Sequence, residues 1–193
     1  MADAFDHTHA PRLEDPVRLA ALPPAAIVEL LRLAGDETVV DYGAGTGVYT
    51  VAVAAALPHG RLIAVEALPQ LADALRARLT PELAARVEVV ETDANEVPAP
   101  AGVADRVIMV DVLHHLYDEP AALAQVSRLL RPGGLFVVVD WADVERPVGP
   151  PLGHVLGLAR VREIVAGMGL VEREAHEPGT LLPYHVVLEA ARP

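Results

Sequence analysis

The sequence predicts an α/β fold built on a mainly parallel sheet, and three observations carry that prediction. Short runs rich in β-branched residues alternate along the chain with segments of helical period. The runs are continuous rather than alternating, as strands covered on both faces require. The first run ends in a glycine-rich turn, Asp41-Tyr42-Gly43-Ala44-Gly45-Thr46-Gly47, that opens into a helical segment. With 193 residues, 52% of them hydrophobic and 22% charged, the chain has the length and apolar content for one domain with a sizeable core.

Residues 1–35 read as an N-terminal helical appendage or lid. Pro23-Pro24 marks a helix start, and Ile27, Val28, Leu30, Leu31 and Leu33 supply its apolar stripe. Thr38-Val39-Val40 is the first strand, closed by Asp41. Gly47 to Leu57 is helical and is broken by Pro58-His59-Gly60. Arg61 to Val65 is the second strand, closed by Glu66. The helix from Leu68 to Leu79 sets Leu68, Leu71, Ala72, Leu75 and Leu79 on one face. Val87 to Val90 and Arg106 to Val110 are the next strands, the latter closed by Asp111. A helix from Pro120 to Leu130 leads through a tight turn, Arg131-Pro132-Gly133-Gly134, into the strand Leu135 to Val139. After the Pro/Gly-rich stretch Arg146 to Gly153 come a helix, Leu158 to Met168, and two strands, Leu170 to Glu174 and His185 to Ala190. No internal repeat or domain boundary interrupts the pattern, so 1–193 is read as a single domain.

Composition narrows the chemistry. There is no Cys, which removes disulfides, thiol nucleophiles, thiolate zinc sites and iron–sulfur clusters. All 15 basic residues are Arg, so there is no lysine for a Schiff base or a Walker A loop. The net charge of −12 disfavours a nucleic-acid backbone as partner. No apolar run approaches the ~20 residues that span a bilayer. The acidic first residues lack a signal-peptide pattern, so a cytoplasmic protein acting on a small molecule is expected.

Glycines at alternate positions after a strand let the backbone turn sharply and approach a ligand, and the following helix offers free N–H groups. The dinucleotide fingerprint needs G-x-G-x-x-G, whereas the third glycine here, Gly47, comes one residue early. A ligand without phosphates and with a charged amino-acid end fits better, Asp41 favouring an ammonium or sulfonium.

This turn resembles the cofactor loop of class I S-adenosylmethionine-dependent methyltransferases, and further matches follow in order. The resemblance implies that Asp41, Gly43, Ala44, Gly45 and Gly47 cradle S-adenosylmethionine, with S-adenosylhomocysteine as product. It implies that Glu66, beside Ala67, holds the ribose hydroxyls; Ala67-Leu68-Pro69 is a poor context for a helix cap. Asp93 and Ala94 resemble the adenine-binding pair, and Asp111 to His115 the segment bordering the methionine moiety and the acceptor. Leu129 to Leu135 is similar to the pre-strand turn of small-molecule methyltransferases of the ubiquinone/menaquinone-biosynthesis and type 11 group. The resemblance covers roughly residues 36 to 190. It implies a Rossmann-like three-layer sandwich with a mostly parallel seven-stranded sheet and an antiparallel last strand.

Methyl transfer is achieved largely by proximity and orientation, with a base needed when the acceptor must first lose a proton. His114 and His115, at the active edge of the fold, are the candidate bases or acceptor-orienting groups. Asp140 and Trp141 end the fifth strand and can face the same pocket. The resemblance further implies that His154 lies in a loop near the acceptor side and that His7 and His9 belong to a segment that closes as a lid. No metal is expected: no helix carries a His-x-x-x-His pair, and adjacent histidines on an extended chain point apart. A homodimer is compatible with this reading. The alternatives are a nicotinamide-dependent oxidoreductase on a related fold and a non-catalytic S-adenosylmethionine-binding module.

Overall fold

The computed structural model describes residues 10–93, 95–116 and 118–193. Three short helices, α1 (Ala10–Leu13), α2 (Pro16–Ala21) and α3 (Pro24–Leu31), precede the first strand, β1 (Thr38–Tyr42). Then follow α4 (Val48–Ala55), β2 (Arg61–Glu66), α5 (Pro69–Arg78), α6 (Pro81–Ala84), β3 (Val87–Glu91) and β4 (Ala104–Val110). Next come α7 (Leu113–Leu116), α8 (Pro120–Leu129), β5 (Leu130–Trp141), a 3-10 turn at Leu152–His154, α9 (Leu158–Gly167), β6 (Val171–His176) and β7 (His185–Ala191). Proline opens α2, α3, α5, α6 and α8, where its fixed φ suits the first turn and its missing N–H costs nothing.

The strands form one seven-stranded sheet in the order β3-β2-β1-β4-β5-β7-β6. β1 to β5 are parallel, and β7 runs antiparallel between β5 and β6. Both faces are covered. Val107, Phe136 and Val138 pack under α8 and α9 through Val126, Val161 and Val165. Their neighbours Ile108, Val137 and Val139 turn to the other face, against Ile27, Leu31 and Val53 of α3 and α4. That alternation places continuous apolar runs in two cores at once.

Four details depart from the expected pattern. Residues 113–116 and 81–84 form single-turn helices. The Arg131–Gly134 turn is a bulge inside β5, where Ala104 pairs with Leu130 and Arg106 with Leu135. β6 starts at Val171 and is an exposed edge whose charged Glu172, Arg173 and Glu174 discourage further pairing. Among the described residues no helix is long and apolar enough to cross a membrane.

Candidate active site

Five neighbouring strands each carry a carboxylate at their carboxyl end, on one edge of the sheet. In sheet order these are Asp93 just past β3, Glu66 ending β2, Asp41 in β1, Asp111 just past β4 and Asp140 in β5. Strands stand about 4.8 Å apart, so the row spans roughly 20 Å. The strand order reverses between β1 and β4, the switch point where open α/β sheets take their ligands.

The glycine turn lies at that point. Gly43, Gly45 and Gly47 have φ of 84°, 57° and 83°. A Cβ on Gly43 would meet Val112 Cγ2 at 2.5 Å, and one on Gly47 would meet Leu75 Cγ at 2.7 Å. Glycine is therefore needed there for space as well as for backbone freedom. Glu66 fastens the turn: Gly45 N–H donates to Oε2 (2.7 Å) and Leu68 N–H to Oε1 (2.9 Å). The local sequence after Glu66 is a poor capping context, yet the carboxylate satisfies both donors because the turn folds back over the end of β2. Each oxygen retains a second lone pair. Ala44 is buried in the turn and Ala67 is exposed beside it. The Thr46 hydroxyl is buried with no hydrogen-bond partner among the described residues.

Asp41 faces inward. Its Oδ2 accepts from the Thr50 hydroxyl at 2.6 Å. Burial pushes its pKa up to about 6, with Thr50 opposing and the Glu66 charge adding to the rise. Asp93 is exposed and accepts from Asn95 N–H at 3.0 Å, the bond of an Asx turn. Ala94, and with it half of the expected adenine-binding pair, lies outside the described residues, as do His7 and His9.

Asp111 has a left-handed backbone, φ 57°, which Asp tolerates better than most residues. Its Oδ2 accepts from Arg18 Nε (3.0 Å) and Nη2 (2.7 Å). His185 Nε2 stands 3.2 Å from Oδ1, close enough for an ion pair but misaligned for a hydrogen bond. Burial would raise the Asp111 pKa, but His185 and Arg18 together hold it below the ordinary carboxylate range. Burial likewise opposes the Arg18 charge, and Asp111 and Tyr49 outweigh it. The Tyr49 ring centroid lies 5.4 Å from the guanidinium carbon.

On the next strand Asp140 is fully buried and organises the start of α7. Its Oδ2 accepts from His114 N–H (2.9 Å), and its Oδ1 from Trp141 N–H (2.7 Å) and His114 Nδ1 (2.6 Å). An ionised carboxylate only accepts, so in its neutral form His114 keeps its proton on Nδ1 and carries the lone pair on Nε2. Burial lowers the His114 pKa, yet Asp140 outweighs it and holds the imidazole above its ordinary value. The His115 ring lies 4.0 Å from that of His114, and burial plus the His114 charge push its pKa down to about 4. The expectation that these rings diverge fails because residues 113–116 are helical rather than extended. Among the described residues no three His, Asp or Glu side chains are grouped to hold a metal ion.

Trp141 is buried against the His185 ring, 4.2 Å between centroids, and the Arg146 guanidinium carbon lies 5.2 Å from its ring centroid. His154 is exposed on the 3-10 turn. Arg18, Tyr49 and His185 join the site without any local mark in the sequence. Only the packing of α2, α4 and β7 around the end of β4 brings them there. A cavity lined by Arg61, Ile63, Arg86 and Glu88 opens at the opposite ends of β2 and β3, away from this constellation.

Residues 40–138, just over half of the chain, match the family model described as a methyltransferase domain. The chain is 27% identical over 123 residues to a ubiquinone/menaquinone biosynthesis C-methyltransferase of Syntrophotalea carbinolica, covering 64% of this chain and 52% of that protein. It is 33% identical over 144 residues to a protein-L-isoaspartate O-methyltransferase of Nitrobacter winogradskyi, covering 75% and 58%. It thus spans little more than half the length of these curated relatives. Among solved structures, a SAM-dependent methyltransferase from Aquifex aeolicus superposes with a TM-score of 0.87 at 24% identity, covering 96% of this chain and 98% of that one. The [4+2]-cyclase SpnF shares the fold as well, with a TM-score of 0.75 at 17% identity over 91% and 82% of the two chains.

Proposed function

The chain belongs to the methyltransferase-domain family, and we propose that it transfers a methyl group from S-adenosylmethionine to a small-molecule acceptor that must first lose a proton. The observation that carries this reading is the buried His114–Asp140 pair, one strand over from Asp111 at the switch point. The residues present fit the cofactor. Its ribose hydroxyls suit the spare lone pairs of Glu66, and its amino-acid portion suits the backbone of the Gly43 to Gly47 turn, where three glycines carry no side chain. Thr46 Oγ1 and Asp111 Oδ1, two buried polar atoms without a hydrogen bond among the described residues, are groups a polar ligand would satisfy. Asp93 would border the adenine. When bound, S-adenosylmethionine supplies an electrophilic methyl group on a sulfonium centre.

The protein's own task is to hold the acceptor in line and to take its proton. His114 is the better base of the two histidines. Asp140 fixes its tautomer and raises its basicity, whereas His115, with a pKa near 4, is a weak base. His115 then serves as a neutral neighbour of the base. The net charge of −12 favours a small acceptor over an RNA or DNA strand. The relatives differ in acceptor by their printed names, so the acceptor class rests on the histidine pair and the net charge.

The test is transfer of a tritiated methyl group from S-adenosylmethionine into a small-metabolite extract, followed by the same assay on the purified acceptor. His114→Asn is expected to lower kcat by about 10²- to 10⁴-fold while leaving S-adenosylhomocysteine affinity unchanged. Label entering only macromolecules, or full activity in His114→Asn, would refute the small-molecule or the base assignment respectively.

A further inference from the structure

Resting on the S-adenosylmethionine reading above, we infer that Arg18, carried by the N-terminal segment, anchors the cofactor's α-carboxylate while Asp111 beside it takes the α-ammonium. The N-terminal helices would then belong to the cofactor site rather than form an appendage to it.

The segment runs directly across the glycine turn. Leu13 lies over Gly45, its Cδ1 3.1 Å from where a Cβ would stand. Glu14 pairs with Arg78 of α5 on one side, and Arg18 reaches Asp111 past β4 on the other. The Asp15 carboxylate caps α2 by accepting from Val17 N–H at 2.7 Å, and Arg18 N–H stands 3.4 Å from the same oxygen. That cap sets the direction in which Arg18 leaves the helix. Its side chain is 7% exposed and that of Asp111 6%.

Stability alone accounts poorly for this arrangement. Burying an ion pair strips both charges of water, and the attraction offsets that only when the remaining donors and acceptors are satisfied. Here they are not. Asp111 Oδ1 is buried without a hydrogen bond among the described residues, and its neighbour His185 offers a misaligned Nε2 at 3.2 Å. Asp111 also sits in a left-handed backbone, the kind of strain that gathers at ligand clamps. Asp111 and Leu13 O engage three of the five guanidinium N–H groups, through Nε, Nη2 and Nη1. A planar fork still able to donate, next to a carboxylate with an unfilled oxygen, is complementary to an amino-acid zwitterion. The spacing agrees. Glu66 and Asp111 stand two strands apart across the glycine turn, about 10 Å, the separation of ribose and amino-acid end in an adenosyl amino acid.

Calorimetry on the full chain tests this with two probes, S-adenosylhomocysteine and its decarboxylated analogue, which keeps the amine and lacks the carboxylate. The wild type should bind S-adenosylhomocysteine about 10- to 100-fold more tightly than the analogue. Arg18→Ala should lose that margin and bind both probes about equally, its hold on the analogue staying within about threefold of wild type. Retained analogue binding also shows that the variant is folded. Should Arg18→Ala not fold, Arg18→Lys keeps the charge without the fork and should lose part of the margin on S-adenosylhomocysteine alone. Equal weakening of both probes, or an undiminished margin, would overturn the role of Arg18 and leave the cofactor reading intact. A wild type that binds neither probe would overturn both.

Discussion

Asp41 takes up a proton more readily in the folded chain than in the unfolded one, because burial raises its pKa from 3.8 to about 6. The sign follows from linkage: the folded state binds more protons between those values, so Asp41 destabilises the fold above pH 6 and less as pH falls toward 4. Asp41→Asn keeps an acceptor for Thr50 and removes the charge. It should raise stability by about 2–3 kcal/mol in urea unfolding at pH 8, with the gain shrinking by pH 5. A gain of the same size at both pH values would contradict the account. The raised pKa of His114 has the reverse consequence, since its contribution is fully present below pH 6.5 and is lost as pH rises through the folded value. Asp140→Asn removes the main support of that pKa. The rise of kcat/KM with pH should then begin at lower pH, with the plateau reduced by about 10- to 100-fold. An unshifted profile would show that His114 is not the titrating base. The sequence revealed both histidines and Asp140 separately; the tautomer and the pairing needed the fold.

The turn between β1 and α4 is where local sequence is most informative, because glycine spacing directly encodes backbone geometry. Gly43→Ala would combine a positive φ with a clash against Val112 and should lower stability by about 2–4 kcal/mol. Gly45→Ala has a milder left-handed φ of 57° and only the flexible end of Leu13 in its way, so about 1 kcal/mol is expected. Urea unfolding of the two variants checks the ranking; equal losses would show that Val112 is not the obstacle. Other elements were less legible. α6 and α7 have four residues each, too short for a helical period to register. The single turn of α7 is what brings His114 and His115 together and undoes the divergence expected of an extended chain. The Arg131–Gly134 segment reads as a turn by composition, yet stays in β5 because β4 continues to pair on either side of it.

Across the whole molecule, the strands and most helices were readable because each is a local pattern of apolar residues. The site was readable only in part. Asp41, Glu66, Asp111 and Asp140 mark their strand ends in sequence, but their alignment into one row depends on the sheet order. Arg18 and His185 come from opposite ends of the chain, and no local pattern could pair either with Asp111. Through that long-range closure the N-terminal segment is tied to the end of β4. Cofactor binding should therefore protect it: S-adenosylhomocysteine is expected to slow tryptic cleavage after Arg12 and Arg18, and unchanged cleavage would argue against docking of the segment over the turn.

The most direct measurement is calorimetric titration of the full chain with S-adenosylmethionine and, separately, with NADH. One S-adenosylmethionine should bind per chain, with a Kd on the order of micromolar, and NADH should give no heat. Binding of NADH, or no binding of S-adenosylmethionine, would contradict the cofactor assignment.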